Sequence, residues 1–367
     1  MSTSLRKHKQ HTHEALMRYA RMLGFGEIRH RIDPKSKLQS IIAVHNTIRG
    51  PAIGGCRFYA YRFYSQALKD VLRLASMMTV KNAACGLPHG GAKAVIMTPR
   101  ENYDRKTLFN AFGDFVNELD GKYITAMDVG TTNQDMDYIA ERTTHVIGAL
   151  QTDALQENPS PYTAKGILRC IQAAVKFKYQ RDSLEGLKFA IQGAGNVGFS
   201  LAKYLFSLGG KIYVCDTNPT VLEQLADETH AIIVSTEHIY DVDCHVFSPC
   251  ALGGILTFET AHRLRCNIII GSANNQLAHR KVGALLHERG ILYGPDFIVN
   301  AGGVIQAASV YDYHDINIAN QKIDKLYDQL YKVFERSKQQ QVSPVDVAYQ
   351  MAFENLNMNN GLNRGKL

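Results

Sequence analysis

The stretch LKFAIQGAGNVGFSLAKYLFSLGGKIYVCD, residues 187–216, decides the fold of the second half of the chain. Its glycines Gly193, Gly195 and Gly198 form the pattern G-x-G-x-x-G between an apolar run and an amphipathic one. In a strand–turn–helix unit the first glycine makes the turn, the second lets the backbone approach a pyrophosphate, and the third lets helix and strand pack closely. The pattern therefore predicts a dinucleotide-binding turn; a glycine-rich turn without a ligand is the structural alternative.

The residues that follow these glycines strengthen the prediction. Asn196 and Val197 open the predicted helix, whose free N–H groups would face the phosphates. Asp216 ends the next apolar run, at the spacing expected for an acid that binds a ribose 2′-hydroxyl. A carboxylate repels the 2′-phosphate of NADP, and residues 217–219 contain no arginine. The sequence therefore predicts NAD as the cofactor.

Short apolar runs alternate with helical patterns from about residue 187 to residue 300, which predicts βαβ units and a parallel sheet. Small and amide residues follow three of these runs. Ligands of such sheets lie at the carboxyl ends of the strands. We therefore predict cofactor contacts there, although any one of these residues can also simply make a turn. The residues are Cys250, Ala251, Asn274 and Asn300.

The first third of the chain mixes the two patterns. Apolar or aromatic runs predict strands at residues 37–47, 54–63, 93–98 and 122–130. Apolar residues three and four apart predict helices at residues 65–84 and 105–121. A chain of 367 residues suits two domains. We predict an α/β protein with a cleft between a substrate-binding, catalytic and oligomerisation domain (residues 1–147 plus 345–367) and a Rossmann-type NAD-binding domain (residues 148–344).

The stretch CGLPHGGAKAVIM, residues 85–97, brings a lysine out of a glycine-rich segment. It is not a phosphate-binding P-loop, because Lys93 comes one place late, no hydroxyl residue follows it, and a strand rather than a helix is predicted next. Lys93, Lys81 and Asp128, which closes a predicted strand, remain as candidate site residues. A partly buried lysine beside another cation has a lowered pKa and can act as a base, whereas a charged lysine can bind a carboxylate. A surface position is the alternative for each lysine.

The composition argues against a membrane-spanning protein, a nucleic-acid-binding protein and a disulfide-rich protein. Hydrophobic residues make up 45% and charged residues 20%, and no apolar run is long enough to cross a bilayer. The net charge of +7 comes from dispersed residues, apart from a basic cluster at residues 6–9 that we interpret as a solvated terminus, so no nucleic-acid partner is predicted. The seven cysteines include no CxxC pair, so we predict neither a metal site nor a disulfide framework. Free cysteines suit a reducing compartment, and we therefore predict a cytoplasmic protein.

Eight stretches, in order along residues 37–340, resemble the glutamate/leucine/phenylalanine/valine family of amino-acid dehydrogenases. They are GPAIGGCRF (50–58), MTVKNAACGLPHGGAKAVI (78–96), YITAMDVGTTNQDMDYI (123–139), NPSPYTAKG (158–166), IQGAGNVG (191–198), SPCALGG (248–254), GSANNQL (271–277) and PDFIVNAGGVI (295–305). The resemblance implies NAD-dependent reversible oxidative deamination of an L-amino acid to a 2-oxo acid and ammonia.

The resemblance also implies a role for each matching residue. Lys81 would bind the substrate α-carboxylate, Lys93 would activate water, and Asp128 would carry protons to and from the amino nitrogen. Gly54 and Gly55 would let the substrate lie close to the backbone. The positions near the cofactor and the substrate would be Thr163, Asn274 and Asn300. The resemblance further implies that the chain forms a homo-oligomer, specifically an octamer.

Three positions of the resemblance bear on the substrate. Where the glutamate enzymes carry a lysine and a serine for the side-chain carboxylate, this chain has Ile53 and Ala307, and Val304 is also apolar. A buried glutamate carboxylate without partners costs several kcal/mol, so branched-chain amino acids are predicted: leucine, valine and isoleucine. The alternative within the family is an enzyme that prefers phenylalanine or valine. Ala92 stands where a third glycine is usual. Its methyl group is tolerable if the backbone angles are ordinary, and a narrower cleft is the alternative.

A non-catalytic NAD-binding regulator is the alternative from another class of protein. Such a protein has no need to keep Lys81, Lys93 and Asp128 together, so the three residues favour an enzyme.

Overall fold

The computed structural model describes residues 14–151 and 158–356. The chain divides into two compact units: the first contains the residues up to Glu157 and those from Ala352 onward, and the second contains Asn158–Met351. The basic cluster at residues 6–9 lies outside the described residues. Within the described part, none of the helices combines the length and the apolar character that crossing a bilayer requires.

The first unit is built on a five-stranded mixed sheet. Its elements in chain order are α1 (residues 14–23), β1 (Glu27–Asp33), β2 (Leu38–Asn46), β3 (Ala52–Tyr59), α2 (Tyr64–Ala84), β4 (Gly90–Met97), α3 (Arg105–Asn117), β5 (Tyr123–Met127) and α4 (Asn133–Ala140). The strand order is β1-β2-β4-β3-β5. β2 pairs antiparallel with β1 and β4, whereas β3 pairs parallel with β4 and β5.

Hydrophobic clusters cover both faces of this sheet. On one face α3 contributes Leu108, Phe109, Phe112 and Phe115 to a buried cluster that includes Ala92 and Ala94 of β4. On the other face α2 contributes Ala67, Leu68, Val71 and Leu72 to a cluster that includes Val95. Because successive side chains of a strand point to opposite faces, Lys93 lies on the α2 face.

Two details of this unit differ from the sequence-based expectations. β1 was not predicted, because it is a charged strand at the edge of the sheet and its residues, EIRHRID, contain only two isoleucines. The strand that carries Lys93 begins at Gly90 rather than at Lys93, so the glycine pair belongs to the strand and is not a loop. The charges of β1 and the glycines of β4 thus hide parts of the sheet from a prediction based on apolar runs.

The second unit contains a six-stranded sheet, and every strand pair in it is parallel. The strand order is β11-β10-β9-β6-β7-β8. Its elements are α5 (Ser160–Tyr179), β6 (Lys188–Gln192), α6 (Asn196–Ser207), β7 (Lys211–Cys215), α7 (Pro219–Thr229), β8 (Ile232–Ile233), β9 (Val246–Pro249), α8 (Phe258–Arg263), β10 (Ile268–Ile269), α9 (Arg280–Glu288), β11 (Leu292–Tyr293), α10 (Asp296–Val299), α11 (Gly302–Tyr313), α12 (Ile316–Asp324), α13 (Leu326–Gln340) and α14 (Pro344–Asn355). The predicted parallel sheet is confirmed.

The order of strands in this sheet reverses next to β6. From β6 the chain continues outward through β7 and β8, and β9 then pairs on the opposite side of β6. In open α/β sheets, ligands bind at the carboxyl ends of the strands at such a switch point. The turn after β6 and the loop after β9 therefore lie where a ligand is expected.

Candidate active site

Lys93 and Asp128 form a buried ion pair in the first unit. Lys93 Nζ lies 3.0 Å from Asp128 Oδ1, and the two side chains are 7% and 20% exposed. Lys93 comes from β4, and Asp128 follows the end of β5. Thr131 holds the turn after Asp128, since its hydroxyl oxygen accepts the Asp128 N–H at 2.8 Å. The structure therefore brings the two predicted catalytic side chains together.

Asp128 also contacts a second cation, which the sequence did not indicate. Its Oδ2 accepts from Arg57 Nε at 2.8 Å. Burial by itself would raise the pKa of Asp128, but Lys93 and Arg57 outweigh it, so the pKa of this carboxyl is lowered. Asp128 is therefore ionised at neutral pH.

Gly55 makes room for this arrangement. A Cβ at Gly55 would lie 2.5 Å from the Met127 carbonyl oxygen and 2.9 Å from Asp128 Cβ, so any side chain there displaces the carboxylate. At Gly54 a Cβ would lie 1.7 Å from the carbonyl oxygen of Ala92. Close approach of the neighbouring strands thus accounts for both glycines, whether or not a substrate lies beside them.

The glycine pair before Lys93 has a similar structural reason. A Cβ at Gly91 would lie 2.1 Å from the backbone nitrogen of Thr79 in α2. The space beside Gly91 is therefore filled by the helix. The same close packing places the end of α2, which carries Lys81 in its last turn, over β4. Ile53 on β3 is 2% exposed and, by the alternation of the strand, lies on the same sheet face as Gly55.

Ala92 is a residue of the hydrophobic core. Its methyl group is fully buried in the cluster on the α3 face of the sheet. Lys93 points to the opposite face, because adjacent residues of a strand alternate. The third glycine position is therefore a core position, and an extra methyl group there adds apolar packing.

In the second unit, the three glycines of the turn after β6 have three different environments. Gly193 has a φ of +102°, which only glycine adopts easily. A Cβ at Gly198 would lie 2.0 Å from the Gly193 carbonyl oxygen, whereas a Cβ at Gly195 would meet nothing within 4 Å. These are the turn, the helix–strand contact and the open approach that the dinucleotide pattern requires.

The N-terminus of α6 is open to a ligand in the same way. Gly195 is its N-cap, no side chain caps the helix, and its first turn, which begins with Asn196 and Val197, contains no acidic residue. Asp216 Oδ2 accepts from the Ala194 N–H at 2.7 Å and Oδ1 accepts from the Asn218 N–H at 2.9 Å. Each oxygen keeps a second lone pair, so the carboxylate can still accept a hydrogen bond from a ribose hydroxyl.

The other predicted cofactor residues surround this turn and the neighbouring strand ends. A Cβ at Gly193 would lie 2.8 Å from the Ala251 Cβ, and one at Gly198 would lie 3.3 Å from the Cys250 Cβ. Asn300 Nδ2 donates to Asn274 Oδ1 at 2.8 Å and to the Ser272 carbonyl oxygen at 3.1 Å. This bond leaves the Asn274 amide with its NH2 group turned away from Asn300.

Thr163 lies beside the glycines that follow Asn300. A Cβ at Gly303 would lie 2.8 Å from Thr163 Oγ1, and that hydroxyl donates to the Pro159 carbonyl oxygen at 3.0 Å. Val304 and Ala307 are one helical turn apart on α11, and both are partly exposed. Most predicted cofactor residues of the second unit therefore follow its strands, whereas Thr163, Val304 and Ala307 lie on its helices. Lys81, Lys93 and Asp128 belong to the first unit.

Family models match both parts of the chain. Residues 27–145 match the model described as Glu/Leu/Phe/Val dehydrogenase, dimerisation domain, and residues 213–362 match the Glutamate/Leucine/Phenylalanine/Valine dehydrogenase model. The chain belongs to the Glu/Leu/Phe/Val dehydrogenase family. The family predicted from the sequence, and with it an amino-acid dehydrogenase, is therefore confirmed.

Individual members of the family are similar over most of their length. A leucine dehydrogenase of Thermoactinomyces intermedius is 43% identical over 89% of this chain and 89% of its own. A phenylalanine dehydrogenase of Caldalkalibacillus thermarum is 38% identical over 90% and 91% of the two chains. The crystal structure of L-tryptophan dehydrogenase from Nostoc punctiforme superposes with a TM-score of 0.84 at 36% identity, covering 93% of this chain and 98% of that one.

Proposed function

We propose that this member of the family catalyses the NAD-dependent, reversible oxidative deamination of branched-chain L-amino acids. An amino acid, NAD⁺ and water would give a 2-oxo acid, ammonium, NADH and a proton. The buried Lys93–Asp128 pair carries the proposal, because it combines a proton donor and a proton acceptor 3.0 Å apart on one sheet face. The 43% identity to a leucine dehydrogenase supports leucine as a substrate.

Bound NAD⁺ would accept the α-hydride of the amino acid. Lys81 would bind the substrate α-carboxylate by its ammonium group. Asp128 would take a proton from the substrate amino group and return it to the leaving ammonia. Lys93 would orient and activate the water that adds to the resulting iminium carbon, and would stabilise the carbinolamine that forms. The burial of Lys93 excludes bulk water. Its ammonium group therefore interacts more strongly with the negative charge that develops on the oxygen of the added water.

The choice of substrate follows from three side chains. Ile53, Val304 and Ala307 are the positions that the family resemblance assigns to the substrate side chain, and all three are apolar. Apolar residues favour an aliphatic substrate side chain, whereas a carboxylate would lose its hydration without gaining a partner. Glutamate is therefore a poor substrate in this proposal.

The choice of NAD follows from the turn after β6. The open space at Gly195 and the uncapped N-terminus of α6 suit a pyrophosphate, and Asp216 at the end of β7 suits an unmodified ribose. Gly193, Gly198, Cys250 and Ala251 would shape this part of the site. Thr163, Asn274 and Asn300 would contact the nicotinamide half.

A substrate panel tests the proposed function. We expect NADH formation, followed by absorbance, with L-leucine, L-valine and L-isoleucine, and a kcat/KM at least about 100-fold lower with L-glutamate, which corresponds to about 2.7 kcal/mol. NADP should support less turnover than NAD. L-Phenylalanine and L-tryptophan belong in the panel because related enzymes carry those names. A higher kcat/KM for either aromatic amino acid, or no turnover of any aliphatic one, would contradict the proposal.

We also infer a homo-oligomer, because residues 27–145 match a model described as a dimerisation domain. An octamer is the assembly that the resemblance implies. Light scattering on the purified protein should give a mass near eight times the 40.9 kDa of the chain. A monomer would contradict the inference, and a dimer or hexamer would correct the number of subunits.

A further inference from the structure

Arg57 occupies the oxygen of Asp128 that Lys93 leaves free. Its Nε donates to Asp128 Oδ2 at 2.8 Å, while Lys93 Nζ contacts Oδ1 at 3.0 Å. The Arg57 side chain is only 21% exposed, and it lies on β3 two residues after Gly55. One carboxylate is thus held from both sides by cations on adjacent strands.

A second carboxylate holds Arg57 itself in place. Arg57 Nη1 donates to Asp70 Oδ2 on α2 at 2.8 Å. Asp70 is 19% exposed, and it also accepts from the Tyr61 hydroxyl at 2.7 Å and from Arg73 Nη2 at 3.1 Å. The guanidinium therefore uses two different nitrogens for two carboxylates on two elements. A lysine has one nitrogen and cannot reproduce this geometry.

We propose that Arg57 is a positioning residue for the amino-acid dehydrogenase reaction: it holds Asp128 by Oδ2 and so keeps Oδ1 directed at Lys93 and the reacting nitrogen. The inference rests on the proposed function, in which Asp128 carries protons. An ion pair on the protein surface contributes little to stability. The side chains of Arg57 and Asp128 are instead about four-fifths buried, and they share one network with Lys93. Freeing Oδ2 lets the carboxylate rotate away from the position at which it exchanges protons.

The charge on Arg57 has a second effect on Asp128. The groups that act on Asp128 are the cations Lys93 and Arg57, and Cys56 and Tyr123 are affected by its charge in return. Burial raises the pKa of the Cys56 thiol to about 12 and raises the pKa of Tyr123 well above its ordinary value, so both are neutral. Without Arg57, burial is opposed by Lys93 alone, and the pKa of Asp128 rises.

The test compares Arg57→Gln, Arg57→Lys and the wild-type enzyme in kcat, KM and pH profile with L-leucine. We expect Arg57→Gln to lower kcat by about 10- to 100-fold with KM within about threefold, and to move the acidic limb of the kcat/KM profile to higher pH by about one unit. Arg57→Lys keeps the charge but loses the bridge. Its acidic limb should therefore return towards the wild-type position while kcat stays low.

Arg62→Gln is the matched control, because Arg62 is an exposed arginine of the same segment that lies over the Phe63 ring. It should leave kcat and the pH profile unchanged. Melting temperature and NADH binding of every variant are measured, so that an unfolded variant is recognised; if Arg57→Gln does not fold, Arg57→Lys decides the question through its lowered kcat at unchanged KM. Wild-type kcat and an unmoved acidic limb in Arg57→Gln would overturn the inference alone. A wild-type enzyme without amino-acid turnover would overturn the proposed function as well.

Discussion

Replacing Lys93 by methionine should lower kcat for L-leucine by about 10³-fold or more, while NADH should still bind with an affinity close to that of the wild type. General acid–base groups contribute about 10²- to 10⁴-fold, and here the same group would also stabilise the oxyanion that forms. The glycine turn that would bind the cofactor belongs to the other unit of the chain. Steady-state kinetics and fluorescence titration with NADH measure the two quantities separately.

The fold should tolerate this replacement. Methionine has a similar length and packs readily in irregular spaces, and Asp128 keeps its contact with Arg57, so the carboxylate is not left unpaired. Lys122→Met is a control for the same chemical change at an exposed position. The Lys122 side chain is 58% exposed, and its Nζ lies 3.8 Å from Glu27 Oε2. If Lys93→Met retained more than about a tenth of the wild-type kcat, a general acid–base role for Lys93 would be excluded.

Gly195→Ala and Gly198→Ala should separate cofactor binding from folding. An alanine Cβ at Gly195 meets no protein atom within 4 Å, so the melting temperature should change little. The same methyl group would occupy the approach of a pyrophosphate, and we expect the dissociation constant for NADH to rise at least tenfold, or about 1.4 kcal/mol. Calorimetric titration and thermal melts of the same preparation measure both effects.

Gly198→Ala should show the opposite order of effects. Its Cβ would lie 2.0 Å from the Gly193 carbonyl oxygen, so the turn or the helix must move. Such overpacking costs about 1–3 kcal/mol of unfolding free energy, and the melting temperature should fall clearly. An unchanged NADH affinity in Gly195→Ala would show that the dinucleotide does not lie on this turn.

The fold of the second unit was predictable because its sequence signals are local. Gly193, Gly195 and Gly198 mark the turn, and buried parallel strands appear as short apolar runs between helices. β1 was missed because none of its residues is fully buried, and its charges conceal the alternation of the strand. The start of β4 was missed because glycines predict turns, whereas here they admit α2 and the strand β2.

Arg57 was missed for a different reason. Its importance depends on Asp70, 13 residues away, and Asp128, 71 residues away, and neither distance is visible in a local pattern. One signal was available: residues two apart on a strand share a face, so a predicted strand with Gly55 near the site also placed Arg57 there. The same alternation explains Ala92. It is next to Lys93 in sequence and therefore points to the other face of the sheet, into the cluster packed against α3.

The contacts at the end of α14 have a consequence for biosynthesis. α14 ends at Asn355, whose carbonyl oxygen accepts from Arg49 and whose side chain donates to the Ala83 carbonyl oxygen at the end of α2. The helix that carries Lys81 is thus anchored by a residue that the ribosome adds only after the whole second unit. The first unit begins before the second but receives these residues after it, so a nascent chain can fold the second unit while α2 still lacks its contact with Asn355. Premature termination near Ala352 would remove both hydrogen bonds of Asn355 from the first unit.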